Sequence, residues 1–302
     1  MSLVGLFTEN LLPVFLAAGA GYILAATLRP DPRPISQVAF HVLAPCMVFQ
    51  LIVDNHVTTE ALLRMVGFTL VVLLAGGAVA ALAARVLRWP RVLASAVTLV
   101  ILIPNSGNYG LSVNAFAFGD EGLAQASLFF VTASVLTFTI GVLVVSLGRT
   151  SRASALAGLF RVPAIWAVAV ALVLVRLGWS LPSPIAKPVS MFSQACVPVF
   201  LVVLGMQLHV TRPRGPWGPL VFAVGMRLVG GAALGLGLAP FFGLEGRAYQ
   251  AGILQAAMPS AVICTILASE YDIEPGFVTS AVFFSTLVSP LTLTLLLAHL
   301  LG

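Results

Sequence analysis

Long apolar stretches, separated by short polar connections, recur along the whole chain and constrain its fold more than any other feature. Ten of them can be marked: residues 3–28, 35–53, 61–87, 92–119, 124–147, 159–181, 185–208, 217–243, 249–268 and 277–301. A bilayer core is about 30 Å thick and a helix rises about 1.5 Å per residue, so stretches of this length can span it. The sequence therefore predicts an all-α polytopic membrane protein with ten transmembrane helices.

The composition supports this class and excludes others. Of the 302 residues, 60% are hydrophobic and 8% are charged, too few charges to cover a water-exposed surface. Most basic residues lie in the short connections and none form a patch interleaved with aromatic residues, so nucleic-acid binding is not predicted. The three cysteines lie inside apolar stretches without metal-ligand spacing. We expect no metal, no cofactor, and the lipid bilayer as the surroundings.

The fourth stretch is interrupted in its middle by Pro104 and the Asn-Ser-Gly-Asn that follows it. Proline lacks a backbone N–H and clashes with the preceding turn, so the helix is predicted to break there. The ninth stretch carries a matching interruption at Pro259. At membrane depth such breaks are tolerated only where the freed backbone groups are buried in protein or line a water-filled cavity. The two breaks are therefore predicted to form a substrate site.

The two halves of the chain carry the same landmarks at nearly the same spacing. Four pairs share offsets of 150 to 155 residues: Pro13 and Pro163, Pro45 and Pro198, Pro104 and Pro259, and the motifs Phe129-Phe130-Val-Thr132 and Phe283-Phe284-Ser-Thr286. Their agreement predicts two repeats of five spans, residues 1–148 and 159–302, joined by a cytoplasmic linker over 149–158. Because five crossings are odd, the second repeat is inverted, which is typical of secondary transporters.

Lysine and arginine are unevenly divided between the two predicted membrane faces. The connections after spans 1, 3, 5, 7 and 9 contain ten of them, and the opposite connections contain four. Basic residues favour the cytoplasmic side of a membrane. We therefore predict a multi-pass protein of the cell (inner) membrane with both termini extracytoplasmic.

Crossed breaks would bring the N-terminal ends of two half-helices together near the middle of the membrane. Those ends carry unpaired N–H groups and partial positive charge, which suit a carboxylate or another anion. Neutral carboxamides and hydroxyls beside the two prolines are predicted to orient it, and one glutamine lies a turn before the second proline. The predicted substrate-binding residues are Pro104, Asn105, Ser106, Asn108, Gln255, Pro259 and Ser260.

Two ionisable residues inside the spans are candidates for coupling or for attracting charge. His41 lies one turn before Pro45, and imidazole can take up a proton at physiological pH, although a lone histidine often only bonds its neighbours. Arg227 lies about 15 Å beyond Trp217 at 1.5 Å per residue, too deep to extend easily to the interface. It either attracts an anion or pairs with helix ends, and the sequence does not decide between these roles.

At these positions the sequence resembles the auxin efflux carrier family. The matching motifs are Pro104-Asn105-Ser106, Pro45 with Phe49, Gln255-Ala-Ala-Met-Pro259, Glu270-Tyr-Asp-Ile-Glu-Pro275 and Ser289-Pro-Leu-Thr-Leu293. The resemblance implies a 5+5 inverted repeat, crossed broken helices 4 and 9, scaffold and transport domains, and elevator-type alternating access. It also implies an organic anion substrate, with Asn105 as the crossover asparagine. The expected function is export of a small organic anion, such as a mono- or dicarboxylate, by a secondary transporter.

Three other functions compete with this one. A sodium- or proton-coupled carrier of the bile-acid symporter or sodium/proton antiporter type remains an alternative, although residues 62–119 and 250–269 contain no Asp or Glu for antiport. A serine hydrolase would need Ser106 or Ser260 paired with His41, and the sequence has no strong motif of that kind, so no enzymatic activity is expected. A passive sensor would leave the paired breaks unexplained. A homodimer is compatible with the sequence, which does not determine the oligomeric state.

Overall fold

A computed structural model describes residues 3–55, 57–145, 163–210 and 215–301. Its regular structure in these ranges is all helical, as predicted. The helices are α1 Leu3–Leu28, α2 Pro32–Asp54, α3 Thr59–Val86, α4 Arg91–Leu102, α5 Ser106–Val145, α6 Pro163–Leu177, α7 Ser183–Val210, α8 Trp217–Phe242, α9 Gly246–Ala256, α10 Ile263–Glu270 and α11 Pro275–Leu301. The predicted linker over 149–158 and the beginning of the span predicted over 159–181 lie outside the described residues.

Seven of the helices are long and apolar enough to cross a membrane, namely α1, α2, α3, α5, α7, α8 and α11. Two more, α4 and α6, are apolar but shorter, with 12 and 15 residues. The remaining two, α9 and α10, follow each other along the chain on either side of the second predicted break. The chain is therefore a multi-pass, all-α membrane protein.

The connection between α1 and α2 shows how local sequence sets the helix ends. Arg29, directly after the end of α1, has a left-handed backbone conformation with φ of 50°. Asp31 then caps α2, because its carboxylate accepts a hydrogen bond from the backbone N–H of Arg33 at 3.0 Å. Pro32 takes the first helical position, where a missing N–H costs nothing. This tight turn places Arg33 at the start of α2.

Helix α5 folds back on itself at Gly119, whose φ of 64° and ψ of −160° lie outside the helical region. We call residues 106–118 its first arm and residues 120–145 its second arm. The arms run side by side, since a Cβ added to Gly107 would lie 2.9 Å from the ring of Phe130. The turn falls where the sequence separates the apolar stretches 92–119 and 124–147.

The helices pack in two sets. The first helix group contains α1, α2, α6 and α7, and the second helix group contains α3, α4, α5, α8, α9, α10 and α11. Within the first group the backbones of α1 and α7 touch, because a Cβ added to Gly205 would lie 1.7 Å from the carbonyl oxygen of Ala18. A Cβ added to Gly21 would lie 2.0 Å from the carbonyl oxygen of Val202. Glycine is required for this close approach.

The interface between the two helix groups is largely aromatic. The first arm of α5 packs on α7, and its second arm packs on α2. The ring of Phe40 contacts the rings of Phe130 and Phe138 at centroid distances of 6.1 and 5.9 Å. The ring of Phe15 meets that of Tyr109 edge-on at 5.9 Å. A cavity opens in this interface, next to the two helix breaks.

Candidate functional site

The two predicted helix breaks lie side by side. The first separates α4 from α5, and the second separates α9 from α10. The backbone N–H of Asn105 donates to the carbonyl oxygen of Pro259 at 2.7 Å, and that of Ala261 donates to the carbonyl oxygen of Ile103 at 3.0 Å. Pro104 and Ser260 thus form a short antiparallel pair. Backbone N–H and carbonyl groups of one break are thus hydrogen-bonded to those of the other. Groups buried at membrane depth need such partners.

The C-terminal ends of α4 and α9 are held by side chains. The guanidinium of Arg227 donates to the carbonyl oxygens of Met258 at 2.9 Å and Ile101 at 2.5 Å, and also to that of Ala256. The Ser260 hydroxyl donates to the carbonyl oxygen of Val100 at 2.8 Å. A helix leaves its last carbonyls without partners, and here these side chains supply them.

Arg227 is 3% exposed and lies behind the breaks, outside the cavity. Of the two roles that the sequence left open, its contacts are those of a partner for helix ends. A planar guanidinium with five donors can bridge carbonyls of two helices at once, which the single ammonium of lysine cannot do in the same way. Arg227 therefore ties the end of α4 to the end of α9.

The N-terminal ends of α5 and α10 face the cavity instead. The cavity has a volume of about 830 Å³, and Ser106, Gly107 and Asn108 at the start of α5 line it. Val262 and Ile263 at the start of α10 line it from the other break. First-turn N–H groups have no partner within their own helix, and the helix dipole adds partial positive charge there. Two such ends on one cavity favour an anionic ligand.

Asn105 stands at the point where the first break meets the cavity. The residue is 4% exposed, and its amide nitrogen Nδ2 is buried without a hydrogen-bond partner. Leaving a buried donor unpaired costs about 1–3 kcal/mol, so such a group is usually completed by a ligand or water. The unpaired amide nitrogen of Asn105 is therefore a further buried donor next to the N-terminal end of α5.

Asn108 also lines the cavity but already has a protein partner. Its Nδ2 donates to Oε1 of Gln207 on α7 at 3.2 Å. Gln207 in turn donates through Nε2 to the hydroxyl oxygen of Ser36 on α2 at 3.4 Å. All three side chains are half-buried and line the cavity. Sequence reasoning did not assign Gln207 or Ser36 to the site.

Helix α2 contributes a polar stripe to the cavity wall. Arg33, Gln37 and His41 are spaced four residues apart, so they share one face of the helix, and all three line the cavity. The His41 ring nitrogen Nδ1 lies 3.0 Å from the carbonyl oxygen of Gln37. The spacing is visible in the sequence and could have indicated Arg33 and Gln37 as site residues. Glu270, at the end of α10, also lines the cavity.

Three of the predicted substrate-binding residues lie outside the cavity lining, namely Gln255, Pro259 and Ser260. Gln255 is wholly buried, and its Nε2 donates to the carbonyl oxygens of Ser106 and Ala126 at 3.1 Å each. It therefore supports the first turn of α5 from behind. The Ser260 hydroxyl is committed to Val100. The predicted residues that do line the cavity are Pro104, Asn105, Ser106, Asn108 and His41.

Long apolar helices and a cavity at two paired helix breaks define the class of protein, an integral membrane transporter. The chain belongs to the membrane transport protein family that includes the auxin efflux carriers. The family's model matches residues 6–154 and again residues 148–297. The resemblance proposed from the sequence motifs is confirmed.

The relatives include proteins of archaea and plants. An uncharacterized transporter of Methanothermobacter thermautotrophicus is 29% identical over 298 residues, which cover 95% of this chain and 96% of that protein. An uncharacterized transporter of Methanocaldococcus jannaschii is 27% identical over 65% of each chain. Auxin efflux carrier component 1 of Arabidopsis thaliana is 32% identical over 43% of this chain and 21% of its own length. The chain therefore spans a small part of the plant carrier and nearly all of the first archaeal relative.

Proposed function

We propose that the chain is a secondary transporter that carries a small organic anion, such as a mono- or dicarboxylate, through the cavity at the paired breaks. One observation carries this proposal: the N-terminal ends of α5 and α10 line the same cavity as Asn105, whose buried Nδ2 has no partner. These groups are hydrogen-bond donors with partial positive charge. A carboxylate supplies the acceptors that they need, and a site without a fixed Lys or Arg among the breaks can release it again.

The proposed topology is ten crossings in two inverted repeats, residues 1–148 and 159–302. It is supported by the two matches of the family's model, each covering about one half of the chain. The fold-back at Gly119 separates a fourth crossing, made of α4 and the first arm of α5, from a fifth. The ninth crossing then consists of α9 and α10, so that the two interrupted crossings meet at their breaks.

The proposed orientation has both termini extracytoplasmic in the cell membrane. Its basis is the excess of Lys and Arg in the connections after odd-numbered spans. Arg33, at the start of α2, and Glu270, at the end of α10, belong to that side and line the cavity. In this orientation the cavity opens toward the cytoplasm, which suits loading of an exported anion.

An elevator-type movement is the proposed mechanism. The second helix group carries both breaks, and Arg227 and Gln255 join its parts by hydrogen bonds. The first helix group is closely packed through Gly21 and Gly205. An aromatic interface between two internally bonded groups allows one to slide against the other. Such sliding would carry the anion site from one face of the membrane to the other.

Sodium or proton coupling is the alternative. His41 and Glu270 line the cavity and are the groups that could exchange a proton there. Measuring transport with sodium replaced by potassium separates a sodium-coupled carrier from the proposed one.

A thermal-shift screen of the purified protein against mono- and dicarboxylates tests the proposal. A ligand that binds only the folded state raises the melting temperature, by an amount that grows with its concentration over Kd. We expect at least one carboxylate to stabilise the protein, and chloride at equal ionic strength to have no such effect. Equal melting temperatures in every carboxylate and in chloride would contradict anion binding at this site.

A further inference from the structure

Ser36, Gln207 and Asn108 form a directed chain of hydrogen bonds across the cavity wall. The Ser36 hydroxyl donates to the carbonyl oxygen of Pro32 at 2.8 Å, so its oxygen accepts from Nε2 of Gln207. Oε1 of Gln207 accepts from Nδ2 of Asn108. Gln207 uses both its amide nitrogen and its amide oxygen in this chain, so only one orientation of its amide is consistent with these bonds.

The chain of bonds joins the two helix groups. Ser36 and Gln207 belong to α2 and α7 of the first group, whereas Asn108 belongs to the first arm of α5 in the second group. The contacts around it are aromatic, including Phe130 against Phe200 at 6.3 Å and Phe40 against Phe130. Aromatic surfaces tolerate sliding, but a hydrogen bond of 3.2 Å does not survive a displacement of a few ångströms.

We propose that Gln207 is a positioning residue whose bond to Asn108 holds the empty carrier in the cavity-open conformation. The inference rests on the proposed function in one respect, the movement of one helix group against the other. When the groups slide, Asn108 leaves Gln207, and this bond contributes to the open conformation alone. Its loss shifts the conformational equilibrium away from the open state.

Spin-label distances between the helix groups test this inference without any substrate. Gln37 on α2 and Ser269 on α10 are exposed and line opposite sides of the cavity, so they can be replaced by cysteine and labelled. The three native cysteines, Cys46, Cys196 and Cys264, are first replaced by alanine. Pulsed electron paramagnetic resonance in lipid nanodiscs then measures the populations of open and closed distances.

Gln207→Leu keeps the side-chain volume and removes the bonds to Asn108 and Ser36. We expect the ratio of open to closed populations to fall about fivefold, the effect of losing one net hydrogen bond. Gln207→Glu keeps an acceptor for Asn108 and strengthens it with charge, so its ratio should equal or exceed that of the unaltered chain. Gln194→Leu is the matched control, because Gln194 lies on the same helix, is exposed and bonds Ser190 within that helix. Its ratio should not change.

If the open and closed populations are both present and their ratio is unchanged in Gln207→Leu, the role proposed for Gln207 is wrong, although the helix groups do move. The same conclusion would follow if Gln194→Leu lowered the ratio equally, or if Gln207→Glu lowered it. A single distance, the same in the unaltered chain and in all variants, would instead contradict the movement itself. If Gln207→Leu does not fold, Gln207→Glu and Ser36→Ala carry the test, and Ser36→Ala is expected to lower the ratio about twofold because Gln207 loses its support.

Discussion

Asn105 and Arg227 have opposite roles at the same pair of breaks. Arg227 lies beside the C-terminal ends of α4 and α9, where its guanidinium donates to three backbone carbonyl oxygens and is almost fully buried. Asn105 lies directly before the N-terminal end of α5, where it lines the cavity and its Nδ2 has no hydrogen-bond partner. On one side of the breaks, protein side chains therefore bind backbone carbonyl groups, and on the other side a buried donor has no protein partner.

Replacing Asn105 by alanine tests whether its side-chain amide binds the anion. We expect the affinity for the transported anion to fall about 10- to 100-fold, since a hydrogen bond to a charged group contributes about 1.5–3 kcal/mol. Binding measured by thermal shift or calorimetry would report the loss. Asn55→Ala is the control, because Asn55 bonds the carbonyl oxygen of Leu51 at the end of α2 and does not line the cavity. Unaltered affinity in Asn105→Ala would remove Asn105 from the site.

Replacing Arg227 by lysine tests whether its bonds to the carbonyl groups at the helix ends stabilise the protein. Lysine keeps the charge but loses the planar fork, so we expect the free energy of unfolding to fall by about 2 kcal/mol or more. The melting temperature of the purified protein measures this. Arg85→Lys is the matched control, because Arg85 is exposed near the end of α3. An unchanged melting temperature together with weaker anion binding would favour the alternative role of attracting charge.

At the scale of elements, each break contains a proline and separates two helices, Pro104 lying between α4 and α5 and Pro259 between α9 and α10. Pro104 and Pro259 have no N–H to donate, and their neighbours Asn105 and Ala261 pair across the breaks instead. The N-terminal ends of α5 and α10 thereby lie at the cavity wall. A continuous helix would bury the N–H groups of those ends in its own hydrogen bonds and withdraw its dipole end from the cavity.

The double variant Pro104→Ala, Pro259→Ala is expected to transport at least about tenfold more slowly. Restored N–H groups favour continuous helices, and a helix end contributes up to about 2 kcal/mol to a bound charge. Initial rates in proteoliposomes measure the effect. Pro290→Ala serves for comparison, since Pro290 lies inside α11 and away from the cavity. If the double variant and Pro290→Ala both transport at the normal rate, the breaks do not form the site.

At the scale of the whole molecule, the two helix groups meet along an aromatic interface that contains the cavity. Arg33 and Glu270, both exposed, line the cavity together with neutral amides, several hydroxyls and two helix ends. The sequence has no Asp or Glu in either break. If the protein carries an anion as proposed, we expect the anion to move down its own concentration gradient and the membrane potential.

Transport is therefore expected to depend on voltage and not on sodium. One negative charge leaving a cell at about 100 mV, inside negative, gains about 2.3 kcal/mol. In proteoliposomes, efflux should rise with an inside-negative potential and should be the same in sodium and potassium. A strict sodium requirement would reject this mechanism. If transport instead depends on pH and His41→Ala abolishes that dependence, proton coupling through His41 is the mechanism.

Much of this protein could be predicted from local sequence. Apolar stretches long enough to span a bilayer predict helices, because a membrane leaves backbone groups no other partner. The two helix breaks, and the position of Asn105 directly after the first proline, are also predictable from local sequence. Proline disrupts the helical turn in which it lies, whatever its tertiary surroundings. The motifs around Pro104 and Pro259 are local as well, and they are sufficient to indicate the family.

Other features depend on contacts between residues that are distant in sequence. Arg227 reaches a carbonyl oxygen 126 residues away, and Asn108 meets Gln207 across 99 residues. The sequence alone allowed Arg227 two roles and gave Gln207 none in the site. Gln255 lies in a motif of the second break, yet packing turns its amide toward the back of α5 and away from the cavity. Local chemistry thus determined where the chain breaks, and only tertiary packing decided which side chains fill the breaks and which face the cavity, because the partners come from other helices.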